Sequence, residues 1–118
     1  MTATTEKATS MSAWTTVCTI DDIHPGTGVC ALFEGEQVAL FRPGKSEEVF
    51  AISNFDPIGT ANVMSRGMTG SIGDRMVVAS PLYKQHFDLL NGECLEDDTV
   101  KVKTFSVRVE QQQVQLSV

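Results

Sequence analysis

Residues 80–88 read Ser-Pro-Leu-Tyr-Lys-Gln-His-Phe-Asp, and what this stretch can and cannot form decides the fold. Pro81 fixes its own φ and has no N–H to donate, so it does not belong inside a paired strand. Ser80 to Gln85 therefore reads as an irregular loop. His86 to Leu89 reads as a short strand, and Asn91-Gly92, a pair that accepts left-handed backbone, turns it into a hairpin. Upstream, Arg75 to Ala79 is apolar enough for a strand, so the loop lies between two strands.

Outward from this loop the same texture continues. Phe105, Val107 and Val109 alternate with Ser106 and Arg108, and Val114, Leu116 and Val118 alternate with Gln115 and Ser117. That period of two marks two half-buried antiparallel strands, with Gln111 to Gln113 turning between them. Towards the N-terminus, Trp14 to Thr19 reads as a strand and Asp21 to Gly28 as a Pro/Gly turn. Val29 to Phe33 and Gln37 to Phe41 are two more strands joined by a tight turn at Glu34 and Gly35. After the loop Arg42 to Glu47, Val49 to Ile52 makes another. Asn54 to Gly73 is long, glycine-containing and weakly periodic, the place where a functional loop is expected. Short strands separated by turn signals at intervals of about ten residues predict an all-β sandwich or barrel.

The chain has 118 residues, 42% of them hydrophobic, which suits one domain with one core. Its net charge of -6 disfavours nucleic acid and anionic membrane surfaces, which reward clustered Lys and Arg, and favours a basic protein patch. Met1 to Ser12 is a polar leader with no apolar core of a signal peptide, expected to be disordered. The longest clean apolar run, Val29 to Phe33, is far short of the roughly 20 residues that span a bilayer, so a soluble, cytoplasmic protein is expected. Cys18, Cys30 and Cys94 are isolated, outside any C-x-x-C arrangement, and read as reduced, buried small hydrophobes.

Two segments carry a resemblance. Asn54-Phe55-Asp56-Pro57-Ile58-Gly59 and the 80–88 stretch resemble the ligand loops of Rieske ferredoxins, whose C-P-H and C-P-W-H-G motifs each deliver one thiolate and one imidazole to a [2Fe–2S] cluster. Pro57, Pro81 and Phe87-Asp88 keep the framework. Asn91-Gly92-Glu93 and the run Val102 to Glu110 extend the likeness over nearly everything after Trp14. It implies that residues 13–118 form an all-β, Rieske-like (iron–sulfur-protein-type) β-sandwich of short antiparallel strands, with both loops adjacent at one tip. It also implies that the former ligand positions are Asp56, Ile58, Ser80 and Tyr83, none of them Cys or His. An isoleucine has no lone pair, and three scattered oxygens do not reproduce a soft-sulfur site, so no metal, cofactor or catalytic group is expected in this chain.

The wording of the loops, with Asp56-Pro57, Ser65-Arg66-Gly67 and Ser80 to Phe87, more specifically resembles the small-subunit family of assimilatory NAD(P)H-dependent nitrite reductase. That resemblance implies a non-catalytic, cytoplasmic subunit acting through a large subunit, which holds FAD, a [4Fe–4S] cluster and the sirohaem where nitrite becomes ammonium. The alternative is a Rieske-type electron-transfer ferredoxin component of an oxygenase. An independent hydrolase or transferase finds no nucleophile with a matching base. Because the loops keep their prolines and length, the tip is expected to retain a docking role. Asp56, Ile58, Tyr83 and Lys84 then lie at or near the contact with the large subunit, Ile58 and Tyr83 as apolar anchors and Lys84 as a steering charge.

Other residues have plainer readings. Tyr83 also reads as a filler of the vacated cluster space. His86 reads as a surface or strand-edge histidine, and lone Arg66 as a structural partner of a carboxylate or carbonyl, the alternative being a binder of a small anion such as nitrite. Glu96-Asp97-Asp98 reads as a solvated turn or a contact for a basic partner, and Met64, Met68 and Met76 as gap-filling core residues.

Overall fold

The computed structural model describes residues 14–117, so the leader expected over 1–12 lies outside the described residues. In chain order the strands are β1 (Thr15–Thr19), β2 (Thr27–Phe33), β3 (Glu36–Arg42), β4 (Phe50–Ser53), β5 (Phe55–Asp56) and β6 (Ala61–Asn62). They continue as β7 (Met68–Ile72), β8 (Arg75–Ala79), β9 (His86–Asp88), β10 (Thr104–Glu110) and β11 (Gln113–Ser117). A six-stranded sheet runs β1-β11-β10-β4-β3-β2, a three-stranded sheet β9-β8-β7, and β5 pairs with β6. Every one of these pairings is antiparallel. The all-β architecture of short antiparallel strands expected from the sequence is the one observed.

Strand β3 joins the two halves. Its run Val38-Ala39-Leu40-Phe41 is fully buried on both faces, as a continuous apolar run in a central strand requires. Val38 and Leu40 point into one core with Ile20, Ile23, Phe33, Phe105, Val114 and Leu116. Ala39 and Phe41 point into a second, with Ile52, Met64, Val78, Phe87 and Leu89. The second core seats the three-stranded sheet, whose β8–β9 connection is the second tip loop; the first connects β5 and β6. Arg42, at the end of β3, donates through Nη1 to the carbonyls of Ile20 (3.2 Å) and Ile23 (3.0 Å), satisfying a turn that has left its strand.

The stretch 54–73 is more ordered than its sequence suggests. It contains the β5–β6 pair, a 3-10 turn at Met64–Arg66 and the whole of β7. Buried Asn54 organises it: Oδ1 accepts the Ser65 N–H at 2.7 Å and Nδ2 donates to Gln37 Oε1 at 3.0 Å, while the Asn54 carbonyl accepts the Met64 N–H. Gly67 then lets the chain pass close to β8, where a Cβ would fall 2.4 Å from the Ala79 carbonyl oxygen. Arg66 is thereby brought beside the loop that follows β8.

Candidate functional site

Two turns built alike meet at the tip. In the first, Asp56 precedes Pro57; its carbonyl accepts the Thr60 N–H at 2.7 Å, and its Oδ1 accepts the N–H groups of Ile58 (2.8 Å) and Gly59 (3.0 Å). In the second, Ser80 precedes Pro81; its carbonyl accepts the Lys84 N–H at 3.1 Å, and its Oγ accepts the Leu82 N–H at 3.3 Å. Both close on a non-glycine residue with left-handed backbone, Thr60 at φ 55 and Lys84 at φ 66. Asp and Ser suit the first position because their short side chains reach the backbone two residues on, and Pro presets the second.

The leading side chains also tie the turns together. Ser80 Oγ donates to Asp56 Oδ2, and both residues are fully buried. Leu82 crosses to the first turn, its Cδ1 occupying the space that a Cβ at position 59 would need. The tip loops expected side by side are therefore adjacent.

Asp56 faces inward and is spent on this link, Ile58 is half-buried against the second core, and Tyr83 and Lys84 are exposed. Tyr83 is 65% exposed, so it does not fill the interior between the turns; the Asp56–Ser80 hydrogen bond and Leu82 occupy it instead. Leu82 is the tip residue that sequence reasoning missed, since one leucine in a loop carries no periodic signal.

These residues do not fit a [2Fe–2S] cluster, which needs two thiolates and two imidazoles directed at two irons. Asp56 and Ser80 have committed their oxygens to each other and to backbone N–H groups, Ile58 offers no donor atom, and Tyr83 points outward. Among the described residues no group of three or more His, Cys, Asp or Glu side chains is arranged to hold a metal ion.

Several single-residue expectations need correcting. Cys94 is buried and Cys18 half-buried, its thiol pushed up by burial and by nearby Asp22, but Cys30 is exposed. Cys30 instead lies within 3.6 Å of Asn54 Nδ2 and 3.7 Å of Gln37 Oε1, polar neighbours that hold it at the rim. Met64 is core, but Met68 is 78% exposed because β7 is a sheet edge. Arg66 is exposed and, among the described residues, finds neither carboxylate nor carbonyl.

His86 begins β9, where its N–H and Nδ1 meet Glu96 at 2.8 and 2.6 Å. Glu96 thus braces the strand that leaves the tip. Burial alone raises the Glu96 carboxyl, but the His86 N–H and ring outweigh it and hold the group below its ordinary range. Asp88 behaves alike: burial raises it, while Arg75 Nε at 2.7 Å and the N–H groups of Leu90 and Asn91 bring it below that range. A carboxyl depressed in the folded state adds stability that is fully present above its unfolded pKa and is lost as pH falls through the folded one. The melting temperature is therefore expected to hold between pH 7 and 5 and to fall once pH drops below about 4. A melting temperature equal or higher at pH 3, by calorimetry, would count against these two anchors.

Residues 13–117 match the family model described as a Rieske-like [2Fe-2S] domain. The Salmonella typhimurium protein named nitrite reductase (NADH) small subunit is 55% identical over 106 residues, covering 90% of this chain and 98% of that protein. The NMR structure of the Escherichia coli protein NirD superposes with a TM-score of 0.85 at 51% identity, covering 92% of this chain and 98% of the other. The Klebsiella oxytoca protein named nitrite reductase [NAD(P)H] large subunit is 37% identical over 105 residues, 89% of this chain but only 11% of that much longer protein.

Proposed function

We propose a function that proceeds from one premise: the chain belongs to the Rieske-like [2Fe-2S] domain family and, within it, to the small subunits of NADH nitrite reductase. It is the non-catalytic small subunit of a cytoplasmic, assimilatory NAD(P)H nitrite reductase. The large chain holds FAD, the [4Fe–4S] cluster and sirohaem and reduces nitrite to ammonium, and this subunit acts by associating with it.

The observation that carries the reading is the tip itself. Both turns lie in the segments whose sequence resembles the ligand loops, and their leading side chains are bonded to each other and to backbone N–H groups instead of being free to hold a cluster. What remains at the surface is shape, with Tyr83, Leu82 and Lys84 outward beside half-buried Ile58, and Asp56 positioning them from within. The Klebsiella protein gives independent support, because a segment like this one forms part of a chain named as the large subunit.

Co-expression with the large chain tests this. The expected result is co-elution as a stoichiometric complex in size exclusion, and separate elution at tens of micromolar would contradict it. The purified subunit is also expected to carry no stoichiometric iron or acid-labile sulfide, to lack sulfur-to-iron absorption, and to melt at the same temperature with and without chelator. A coloured protein with cluster iron and a chelator-sensitive melting temperature would instead be an electron-transfer ferredoxin.

A further inference from the structure

Beside the second turn lies a notch of about 240 Å³, lined by Arg66, Gly67, Met68, Ala79, Ser80, Pro81 and Lys84. Its walls are residues 66–68, which lead into β7, on one side and the end of β8 with the turn that follows it on the other. The volume is below the ~300–1,000 Å³ of pockets that hold free small molecules, and matches one or two side chains.

The charges around it are unusual for this chain. Four of its cations have partners: Arg42 binds carbonyls, Arg75 binds Asp88 and Glu93, Lys103 binds Glu36, and Arg108 stacks on Trp14. Lys45, Arg66, Lys84 and Lys101 have no side-chain partner among the described residues, and of these Arg66 and Lys84 face the same notch in a protein whose net charge is -6. Their positions are built rather than loose. Gly67 seats the Arg66 turn against β8, and Lys84 is held in left-handed backbone by its N–H bond to Ser80. A strained conformation maintained at a surface is a recurrent mark of a binding site. Exposed Met68 at the mouth, and Leu82 and Tyr83 on the same loop, supply apolar area beside the two charges.

We propose that this notch receives a carboxylate side chain from an acidic, partly apolar segment of the large subunit, held by Arg66 and Lys84 and covered by Met68. The inference rests on the association proposed above and adds which chemistry the partner presents there: negative charge meets two unpaired cations that line one notch of an acidic chain. Against mostly apolar walls, two charges attract one carboxylate more strongly than exposed lysines do.

The test compares binding of the large chain to the wild-type subunit, to Arg66→Glu/Lys84→Glu and to Arg66→Gln/Lys84→Gln, by surface plasmon resonance from low to high salt. The expected result is wild-type affinity that falls with salt, a loss of roughly 100-fold in the charge-reversed variant, a smaller loss in the neutral one, and a flattened salt dependence in both. Both side chains are exposed, so unchanged melting temperatures establish that the variants are folded. Wild-type binding that is indifferent to salt, with both variants matching it, overturns the notch and leaves association standing. No binding by wild type overturns association, and the notch with it.

Discussion

Replacing Asp56 by Ala should lower the melting temperature by roughly 15 °C, the equivalent of about 3 kcal/mol in a domain of this size. Asp56 is fully buried and accepts from Ile58, Gly59 and Ser80, so its loss strands two N–H groups and one hydroxyl away from water. Leaving a buried donor unsatisfied costs about 1–3 kcal/mol, and partial relaxation of an edge loop keeps the total from tripling. Ser80→Ala removes the other half of the link and should cost about 2 kcal/mol, mainly through the acceptor it orphans. The two residues share one bond, so the double variant should lose clearly less than the sum. Chemical denaturation of the four proteins measures this. Additive effects, or an Asp56→Ala protein within about 0.5 kcal/mol of wild type, would mean that the turns are not held by this pair.

The second large effect is on binding. Leu82→Ala combined with Tyr83→Ala should weaken capture of the large chain about 100-fold, close to 2.7 kcal/mol, while leaving the fold intact. Both side chains are substantially exposed at a tip whose backbone is fixed from inside by Asp56 and Ser80, so truncation removes contact area and, at Leu82, only the packing over Gly59. The competing surface is the acidic turn. Glu96 is already engaged by His86, and Asp97 caps the Thr99 N–H and hydroxyl, so this turn is read as structure. Glu96→Gln with Asp97→Asn and Asp98→Asn should therefore bind normally at a pH where it remains folded. If the acidic-turn variant loses binding and the tip variant keeps it, docking uses the other face.

How much of this was legible in the sequence follows from the range of the interactions. Strands with an alternating or continuous apolar pattern, such as β3, β10 and β11, are written in their own residues and fall where the sequence places them. Each tip turn is equally local, because Asp-Pro and Ser-Pro specify an oxygen acceptor followed by a fixed φ. The link between the turns is not, since Asp56 and Ser80 are 24 positions apart and neither alone signals a partner. β7 was hidden for another reason. Met-Thr-Gly-Ser-Ile is an edge strand with little to bury, so its hydrophobicity does not alternate, and Met68 reads as core although it faces solvent. Arg66 is the same error in reverse: an isolated arginine suggests a structural contact with a carboxylate or carbonyl, yet the turn that Gly67 permits carries it outward to the notch.

This Rieske-like domain is proposed to work by association and not by carrying electrons. The most direct measurement is nitrite-dependent NADH oxidation by the large chain, titrated with small subunit that has been assayed for iron and sulfide beforehand. The expected result is a saturable change in rate produced by subunit containing neither, with the Leu82→Ala/Tyr83→Ala protein requiring about 100-fold more to reach the same effect. A rate that responds only to iron-loaded subunit, and not at all to the iron-free protein, would contradict it.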